Sequence, residues 1–290
     1  MKLTNKNNYP IAFYNAVLDS LYKPKEDIIR VTELISPPLI RHLRIKHWDD
    51  IVIDVDDSLL ALYGTALHNF LLAYEPKDGV LFKQRFDIKL STDGITDNFV
   101  LSGEPDKFTV KSGLLEDYKF TSVWSFVYGK DEWIKQLNLY AYLLHNHGYD
   151  VNKLQINAQF RDWSYYQSIK KGNEDYPKMR GISKKIKLWS LDEAEQYIND
   201  QAIDHRLDYK RECTADERWE RPTTYAVMKE GRKSALRVLN SEDAAICWCG
   251  SKGHNVGSKG IYIDKRIGGR IRCQEYCNVN KFCPYYEPTS

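Results

Sequence analysis

Residues 113–120 read Gly-Leu-Leu-Glu-Asp-Tyr-Lys-Phe, a run that is opened by a glycine and is rich in apolar and aromatic side chains. Such a run predicts a β-strand. Residues two apart in a strand point to the same face, so Asp117 and Lys119 share one side and Glu116 and Tyr118 share the other. A carboxylate beside an ammonium group suits metal-assisted hydrolysis, since one group holds the cation while the other orients or polarises the attacking water. Because an isolated Asp-x-Lys pair is usually an exposed ion pair, the interpretation depends on its neighbours.

The segment before this strand supplies a second carboxylate. Residues 99–110 predict another strand, and residues 111–113 (Lys-Ser-Gly) have the composition of a turn. The resulting hairpin would bring Asp106 beside Asp117. Two converging carboxylates repel each other unless a cation lies between them, and their oxygens suit Mg²⁺ or Mn²⁺. Glu116 lies on the other face of the strand, so it is not expected to be a ligand.

A predicted helix upstream adds an imidazole. Ser58 is the expected N-cap of a helix from Leu59 to about Tyr74, in which Gly64 and His68 share a face. Because glycine is unfavourable inside a helix, Gly64 predicts close approach of a neighbouring backbone. With two carboxylates downstream, His68 is the expected third metal ligand, and an imidazole shifts the preference toward Mn²⁺. The expected buried positions of this helix include Leu60, Leu67, Leu71 and Ala73.

A second predicted helix runs from Asp131 to His145 and ends near Gly148. Gln136 and Tyr140 share one face of it. An amide and a phenol hydroxyl can bridge a metal site and a substrate phosphate, although a polar stripe is the simpler interpretation when taken alone.

The motif order resembles that of one nuclease family. The motifs are Gly64-x-x-x-His68, Gly103-x-x-Asp106, Asp117-Tyr118-Lys119 and Gln136-x-x-x-Tyr140. This order is similar to the RecB-like branch of the PD-(D/E)XK nucleases, which includes RecB and AddB nuclease domains, CRISPR-adaptation nucleases and many bacteriophage exonucleases. The resemblance covers roughly residues 30–210. It implies an α/β fold with a restriction-endonuclease-like core, in which helices flank a central mixed β-sheet.

The resemblance also assigns roles to the motif residues. The metal ligands that it implies are His68, Asp106, Asp117 and the backbone carbonyl of Tyr118. Lys119 would position the nucleophilic water. Gln136 and Tyr140 would contact DNA near the scissile phosphate.

All six cysteines fall in the last third of the chain, and Cys273, Cys277 and Cys283 lie close together. This spacing favours metal binding, and Cys213 is the best candidate for a fourth ligand. Several RecB-like nucleases carry a [4Fe–4S] cluster on four cysteines, the last three of which are C-terminal, and a proline such as Pro284 often follows. In those relatives the first cysteine precedes the Gly-x-x-x-His helix, whereas here it follows the core. Structural Zn²⁺, free thiols, and replacement ligands from Cys247 and Cys249 stay open.

The composition limits the functional class. The chain has 290 residues, 42% hydrophobic residues and a net charge of +2, so its overall charge does not identify a nucleic-acid-binding protein. Its mean hydropathy is −0.55. Residues 1–6 lack the apolar segment of a signal peptide, and membrane-spanning runs are missing, so no membrane partner and a cytoplasmic location in a host bacterial cell are expected. Basic clusters at 184–187, 229–233 and 259–272 could follow a phosphate backbone.

Three regions are predicted. A helical N-terminal lead-in spans residues 1–57, the nuclease core spans 58–210, and a cysteine-containing, metal-stapled segment spans 211–290. The core should include a strand at 154–160 and a helix from a capping box at Ser190-x-x-Glu193 to about Lys210. The C-terminal segment should include a helix from Pro222 to Leu239.

The expected function is a Mg²⁺- or Mn²⁺-dependent DNA exonuclease acting on linear DNA. Phage recombination or DNA-end processing is the expected context, and a phage recombination protein is the expected protein partner. The alternative is a catalytically silent nucleic-acid-binding or recombination partner protein with a structural metal cluster. A nuclease for RNA or for modified nucleotides is a third interpretation.

Overall fold

A computed structural model of the chain describes residues 1–75, 78–90, 99–205 and 211–287. The chain divides into unit 1, from Met1 to Lys210, and unit 2, from Arg211 to Ser290. Within the described part of unit 1 the strands are β1 (Lys2–Thr4), β2 (Ile28–Arg30), β3 (Val52–Asp54), β4 (Val80–Phe82), β5 (Phe86–Leu90), β6 (Phe99–Gly103), β7 (Lys107–Thr109), β8 (Leu114–Thr121), β9 (Lys153–Phe160) and β10 (Gly181–Ile186). Its helices are α1 (Ile11–Ser20), α2 (Val31–Leu34), α3 (Pro38–Lys46), α4 (Val55–Ala73), α5 (Val123–Val127), α6 (Asp131–Asn146), α7 (Tyr165–Ile169) and α8 (Leu191–Asp204).

The largest sheet of unit 1 has the strand order β10-β9-β8-β7-β4. The β8–β9 pair is parallel and the other pairs are antiparallel, so the sheet is mixed. A second sheet has the order β2-β6-β5. Helix α6 packs its apolar side against the strands, and the buried core includes Phe108, Leu115, Leu137, Leu144 and Ile156. The predicted α/β class, with helices flanking a mixed sheet, is confirmed.

The predicted strand at 99–110 divides into two. Strand β6 pairs with β2 and β5, whereas β7 pairs with β8 in the larger sheet. The turn between β7 and β8 ends at Gly113, whose φ is +60°. A Cβ there would lie 2.4 Å from the Asn152 side chain, so the turn requires glycine.

Helix α4 differs from its prediction in three ways. It is capped by Asp54 rather than by Ser58, because Asp54 and Asp57 form a reciprocal capping box. Leu60 is 52% exposed, so the expected burial of its side chain is wrong. A Cβ on Gly64 would meet Phe120 Cβ at 4.0 Å, an ordinary contact distance, so close packing does not explain this glycine.

Two of the predicted burial positions on α4, Leu67 and Leu71, are partly buried, and Ala73 is exposed. Residues 1–57 also differ from a separate helical lead-in. Strand β2 pairs with β6, and β1 pairs with β3, so this segment contributes strands to the sheets of unit 1. Helix α8 begins with the predicted capping box at Ser190, but it ends at Asp204 with His205 as its C-cap, so the predicted end near Lys210 is wrong.

Unit 2 contains β11 (Thr224–Lys229), β12 (Arg237–Leu239), α9 (Glu242–Ser251) and β13 (Ile261–Arg266) in its described part. The strands form an antiparallel sheet in the order β12-β11-β13. Helix α9 packs on it through Val227, Ala245, Cys249 and Ile261. The predicted helix from Pro222 to Leu239 is therefore wrong. Gly231, with φ +79°, lies between the two strands that replace this helix.

None of the helices in the described ranges combines the length and the apolarity that a membrane crossing requires.

Candidate active site

Strand β8 and helix α6 bring four of the predicted side chains together. Lys119 Nζ lies 2.7 Å from Asp117 Oδ2 and donates a hydrogen bond of 2.8 Å to Gln136 Oε1. Gln136 Nε2 in turn donates to the Tyr140 hydroxyl at 3.1 Å. A continuous polar chain therefore runs from the strand to the helix, as the shared face of Asp117 and Lys119 requires.

Helix α4 and the start of β7 supply the other predicted ligands. His68 Nδ1 lies 3.3 Å from Asp106 Oδ1, and the other oxygen of Asp106 accepts from the Tyr118 N–H at 3.0 Å. Lys107 pairs with Glu116 across the β7–β8 ladder, which places Asp106 next to Asp117 in register. His68 also bonds the Tyr118 backbone, and because this contact raises the pKa of His68, its partner is the carbonyl oxygen.

Asp117 is the most constrained of these groups. Its side chain is buried, and Oδ2 accepts no hydrogen bond of normal geometry from any residue that the structure describes, despite its short contact with Lys119. Burial raises the pKa of Asp117, and the Asp106 charge raises it further, whereas Lys119 opposes the shift. A buried carboxylate whose oxygen contacts an ammonium group fits a site that takes up a cation.

His68 and Asp106 shift each other in opposite directions. Burial lowers the pKa of His68, but the hydrogen bond and the charge of Asp106 outweigh it, so the net shift is upward. Burial raises the pKa of Asp106, but His68 and the Tyr118 N–H outweigh it, so the net shift is downward. Each group of the pair therefore favours the charged form of the other.

As these side chains stand, no three His, Cys, Asp or Glu residues in ranges 1–75, 78–90, 99–205 and 211–287 have the geometry to hold a metal ion. Two contacts account for this in unit 1. Asp106 faces His68, and Asp117 faces Lys119. The donor types nevertheless fit Mg²⁺ or Mn²⁺, since two carboxylates, an imidazole and a carbonyl oxygen meet at one place.

Gly103 explains how α6 comes so close to the strands. A Cβ at this position would lie 2.4 Å from Leu143 Cδ1 and 3.0 Å from the Tyr140 ring. Only glycine fits this contact, so the first residue of the Gly103-x-x-Asp106 motif positions Tyr140 rather than touching the site itself.

Sequence reasoning missed a charged network behind the site. Lys107 Nζ lies 3.0 Å from Glu75 and 2.8 Å from Glu116, and Glu75 also accepts from the Tyr118 hydroxyl at 2.7 Å. Asn157 donates to Glu116 at 3.0 Å. These contacts occupy Glu116, in keeping with its exclusion as a ligand.

The four predicted cluster cysteines lie near one another in unit 2. Burial raises the pKa of the Cys213 thiol to about 12, Glu217 adds to the shift, and Cys283, Cys273 and Cys277 contribute further. The three thiols are therefore within electrostatic range of Cys213. Asn280 Nδ2 donates to the Cys273 carbonyl at 2.8 Å and ties together the turn that carries the last three cysteines.

The remaining cysteines differ from this group. Cys249 is buried in the apolar cluster of α9, and Cys247 is exposed. All six thiols lie in the described part of unit 2 and are free. Cys249 thus has a packing role, and Cys247 has none.

Comparison with known proteins gives little further information. No family model matches the chain, and no curated protein matches its sequence. The crystal structure of SSO0001 is similar to part of the chain, with a TM-score of 0.48 and 15% sequence identity over 67% of this chain and 84% of that one. A likeness at this level has no bearing on function.

Proposed function

We propose that unit 1 is a Mg²⁺- or Mn²⁺-dependent deoxyribonuclease that hydrolyses phosphodiester bonds at the ends of linear DNA. One observation carries the proposal. Asp106, Asp117 and His68 converge beside Lys119, although they come from three separate segments of the chain: the residue before β7, strand β8 and helix α4.

The metal would be held by His68, Asp106, Asp117 and the Tyr118 carbonyl. A divalent cation bound there supplies Lewis acidity that activates water and offsets charge on the phosphate. The burial of Asp117 supports this assignment, since its Oδ2 already has a cationic partner in Lys119 and a bound metal ion would further offset the buried charge.

Lys119 is held between Asp117 and Gln136, so its ammonium group has a fixed direction. From that position it can donate a hydrogen bond to the attacking water and stabilise negative charge that develops on the phosphate oxygens. Gln136 fixes Lys119 through its amide oxygen, and its amide nitrogen engages Tyr140. In this proposal the Tyr140 hydroxyl contacts a substrate phosphate, as the motif resemblance implies.

The test is digestion of end-labelled linear and covalently closed DNA, single- and double-stranded, with Mg²⁺ or Mn²⁺ and with labelled RNA in parallel. We expect cleavage of linear DNA alone, lost in Lys119→Ala, and the label gives the polarity. Cleavage of closed circles would instead show an endonuclease. Cleavage of RNA would show that the substrate is not restricted to DNA. DNA binding without cleavage by anaerobically prepared protein would favour the silent partner protein.

Unit 2 is proposed to hold a [4Fe–4S] cluster or Zn²⁺ on Cys213, Cys273, Cys277 and Cys283. This proposal is supported by the three thiols of Cys273, Cys277 and Cys283, which lie within electrostatic range of Cys213. Visible absorbance and metal analysis of anaerobically prepared protein distinguish the two, and Cys247→Ser is the matched control because Cys247 is exposed. Processing of DNA ends during phage recombination is the context that we propose, on the basis of the motif resemblance.

A further inference from the structure

An exposed pair of stacked rings follows the strand that carries the site. Trp124 and Tyr128 lie one turn apart at helix α5, with ring centroids 5.6 Å apart and planes inclined by 22°. Tyr128 is 82% exposed and Trp124 is 41% exposed. Stacked rings of this kind expose a flat apolar face to solvent, and another planar ring can stack on such a face.

The pair is held in place by its surroundings. Asp162 accepts from the Val123 N–H at 2.8 Å, and Ser122 caps the helix by accepting from the Ser125 N–H. The edge of Trp124 packs against the buried Tyr176 ring at 5.9 Å and 72°. Trp124 is therefore anchored, and Tyr128 stacks on an anchored ring.

The position of the pair links it to the candidate site. Helix α5 lies in the segment that joins β8, which carries Lys119, to α6, which carries Gln136. Lys119 contacts Gln136, so the residues that flank this segment on both sides belong to the candidate site. Trp124 is five residues beyond Lys119, so the two Cα atoms are separated by roughly 18 Å at most. A few nucleotides of an extended strand span such a distance.

Cations lie beside two rings of the cluster that includes Tyr176, which Trp124 contacts. Lys184 Nζ is 5.8 Å from the ring centre of Phe126 in α5, and the Arg180 guanidinium is 4.8 Å from that of Trp163. Aromatic rings interleaved with Lys and Arg are typical of surfaces that bind single-stranded nucleic acid, because bases stack on the rings while cations contact phosphates.

We propose that the Trp124–Tyr128 pair is a stacking platform for an unpaired base of the substrate strand. The inference rests on the proposed function and adds a substrate class: single-stranded DNA, or the frayed end of a duplex, in preference to a paired end. Bases inside a duplex already stack on their neighbours on both faces, so only an unpaired or terminal base has a face to offer.

The test measures binding of labelled oligothymidylate of about 12 nucleotides by fluorescence anisotropy in metal-free buffer. Tyr128→Ala should weaken binding about tenfold, and Tyr128→Phe, which keeps the ring, should not. An oligonucleotide of the same length with abasic sites should bind both variants equally, because it has no base to stack. The salt dependence should be the same in Tyr128→Ala as in the wild type, because no phosphate contact is lost.

Two further variants complete the design. Trp124→Leu should also weaken oligothymidylate binding, and it checks the anchored ring. Tyr74→Ala is the matched control, since Tyr74 is 77% exposed and follows α4 rather than α5, and it should bind like the wild type.

The outcomes separate this inference from the nuclease proposal. Unchanged oligothymidylate binding by Tyr128→Ala, with cleavage by the wild type, overturns the platform and leaves the nuclease intact. Tyr128-dependent binding by a wild-type protein that cleaves nothing supports the platform and overturns the nuclease. A change in sedimentation of Tyr128→Ala with unchanged binding overturns the platform and assigns the rings to contact with a second copy of the chain.

Discussion

The two units gather their predicted ligands by different means. In unit 1, Asp117 and Lys119 lie on a strand inside a five-stranded sheet, and Gln136 lies on a long helix packed over it. In unit 2, Cys273 and Cys283 lie in or beside single turns, at Arg272–Tyr276 and Asn280–Phe282. Apolar packing positions the first group in the metal-free protein, whereas we expect the second group to depend on the proposed metal to fix it.

The two units also differ in the size of their apolar cores. The main cluster of unit 1 includes large, fully buried side chains from both sheets and from α6. The apolar cluster of unit 2 is built from Val227, Ala245, Cys249 and Ile261. Short chains with small cores usually need a metal or disulfides to fold stably. We therefore expect a structural metal in unit 2 and a catalytic metal in unit 1.

The largest expected effect concerns the metal of unit 2. Cys273→Ser should remove it and expose unit 2 to limited proteolysis while a fragment of unit 1 survives, because structural metals contribute roughly 10 kcal/mol or more to folding. Metal analysis and mass spectrometry of the digest report both. Cys247→Ser should change neither. A protease-resistant unit 2 without metal would remove the contrast between the units.

The next effect concerns Asp117 in unit 1. Asp117→Asn should abolish cleavage, yet the free energy of unfolding in metal-free buffer should stay equal or rise. Burial raises the pKa of Asp117, so its charged form destabilises the fold above the unfolded-state pKa, and a neutral amide removes that cost. Urea unfolding and a cleavage assay test this. Asp87→Asn, at an exposed position, is the control, and a large loss of stability in Asp117→Asn alone would contradict a preformed site.

A smaller effect separates the two motif glycines. Gly103→Ala should destabilise unit 1 by about 1–3 kcal/mol and slow cleavage, because its Cβ would collide with Leu143 and the Tyr140 ring. Gly64→Ala should stabilise α4 by about 0.5–1 kcal/mol, since its Cβ has room. Denaturant midpoints compare the two. Equal effects at both positions would show that close packing at Gly103 does not hold the site together.

The smallest effect concerns the hydroxyl at the end of the polar chain. Tyr140→Phe removes the acceptor of the Gln136 amide, which is worth about 1 kcal/mol, so cleavage should fall roughly fivefold with little change in stability. Tyr142→Phe, on the same helix, should cleave at the wild-type rate. An unchanged rate in Tyr140→Phe would exclude a role for this hydroxyl in positioning Lys119 or the phosphate.

Sequence patterns predicted the elements whose residues are strongly periodic. Strands β8 and β9, helix α6 and the Ser190–Glu193 cap of α8 all lie close to their expected bounds, because apolar alternation and caps are local signals. The predicted hairpin correctly placed Asp106 beside Asp117, although its first part, β6, pairs in a different sheet.

Other features depended on tertiary context. Proline at 222 suggested a helix start, but Tyr225 to Met228 is a β-forming run whose Ala226 and Val227 are fully buried, and it became β11. Leu60 and Ala73 were expected to be buried in α4, yet both are exposed. The Lys107–Glu75 contact joins distant segments, and no local pattern reveals such a pair.

The most direct test of the central claim is cleavage of one end-labelled linear DNA by wild-type and Lys119→Ala protein over a range of Mn²⁺ concentrations. Both proteins are first shown to be folded by circular dichroism and equal melting temperatures. We predict that wild-type cleavage rises with Mn²⁺ and that Lys119→Ala shows none at any concentration. Equal cleavage by the two proteins, or wild-type cleavage that does not depend on the Mn²⁺ concentration, would contradict a metal-dependent site that includes Asp117 and Lys119.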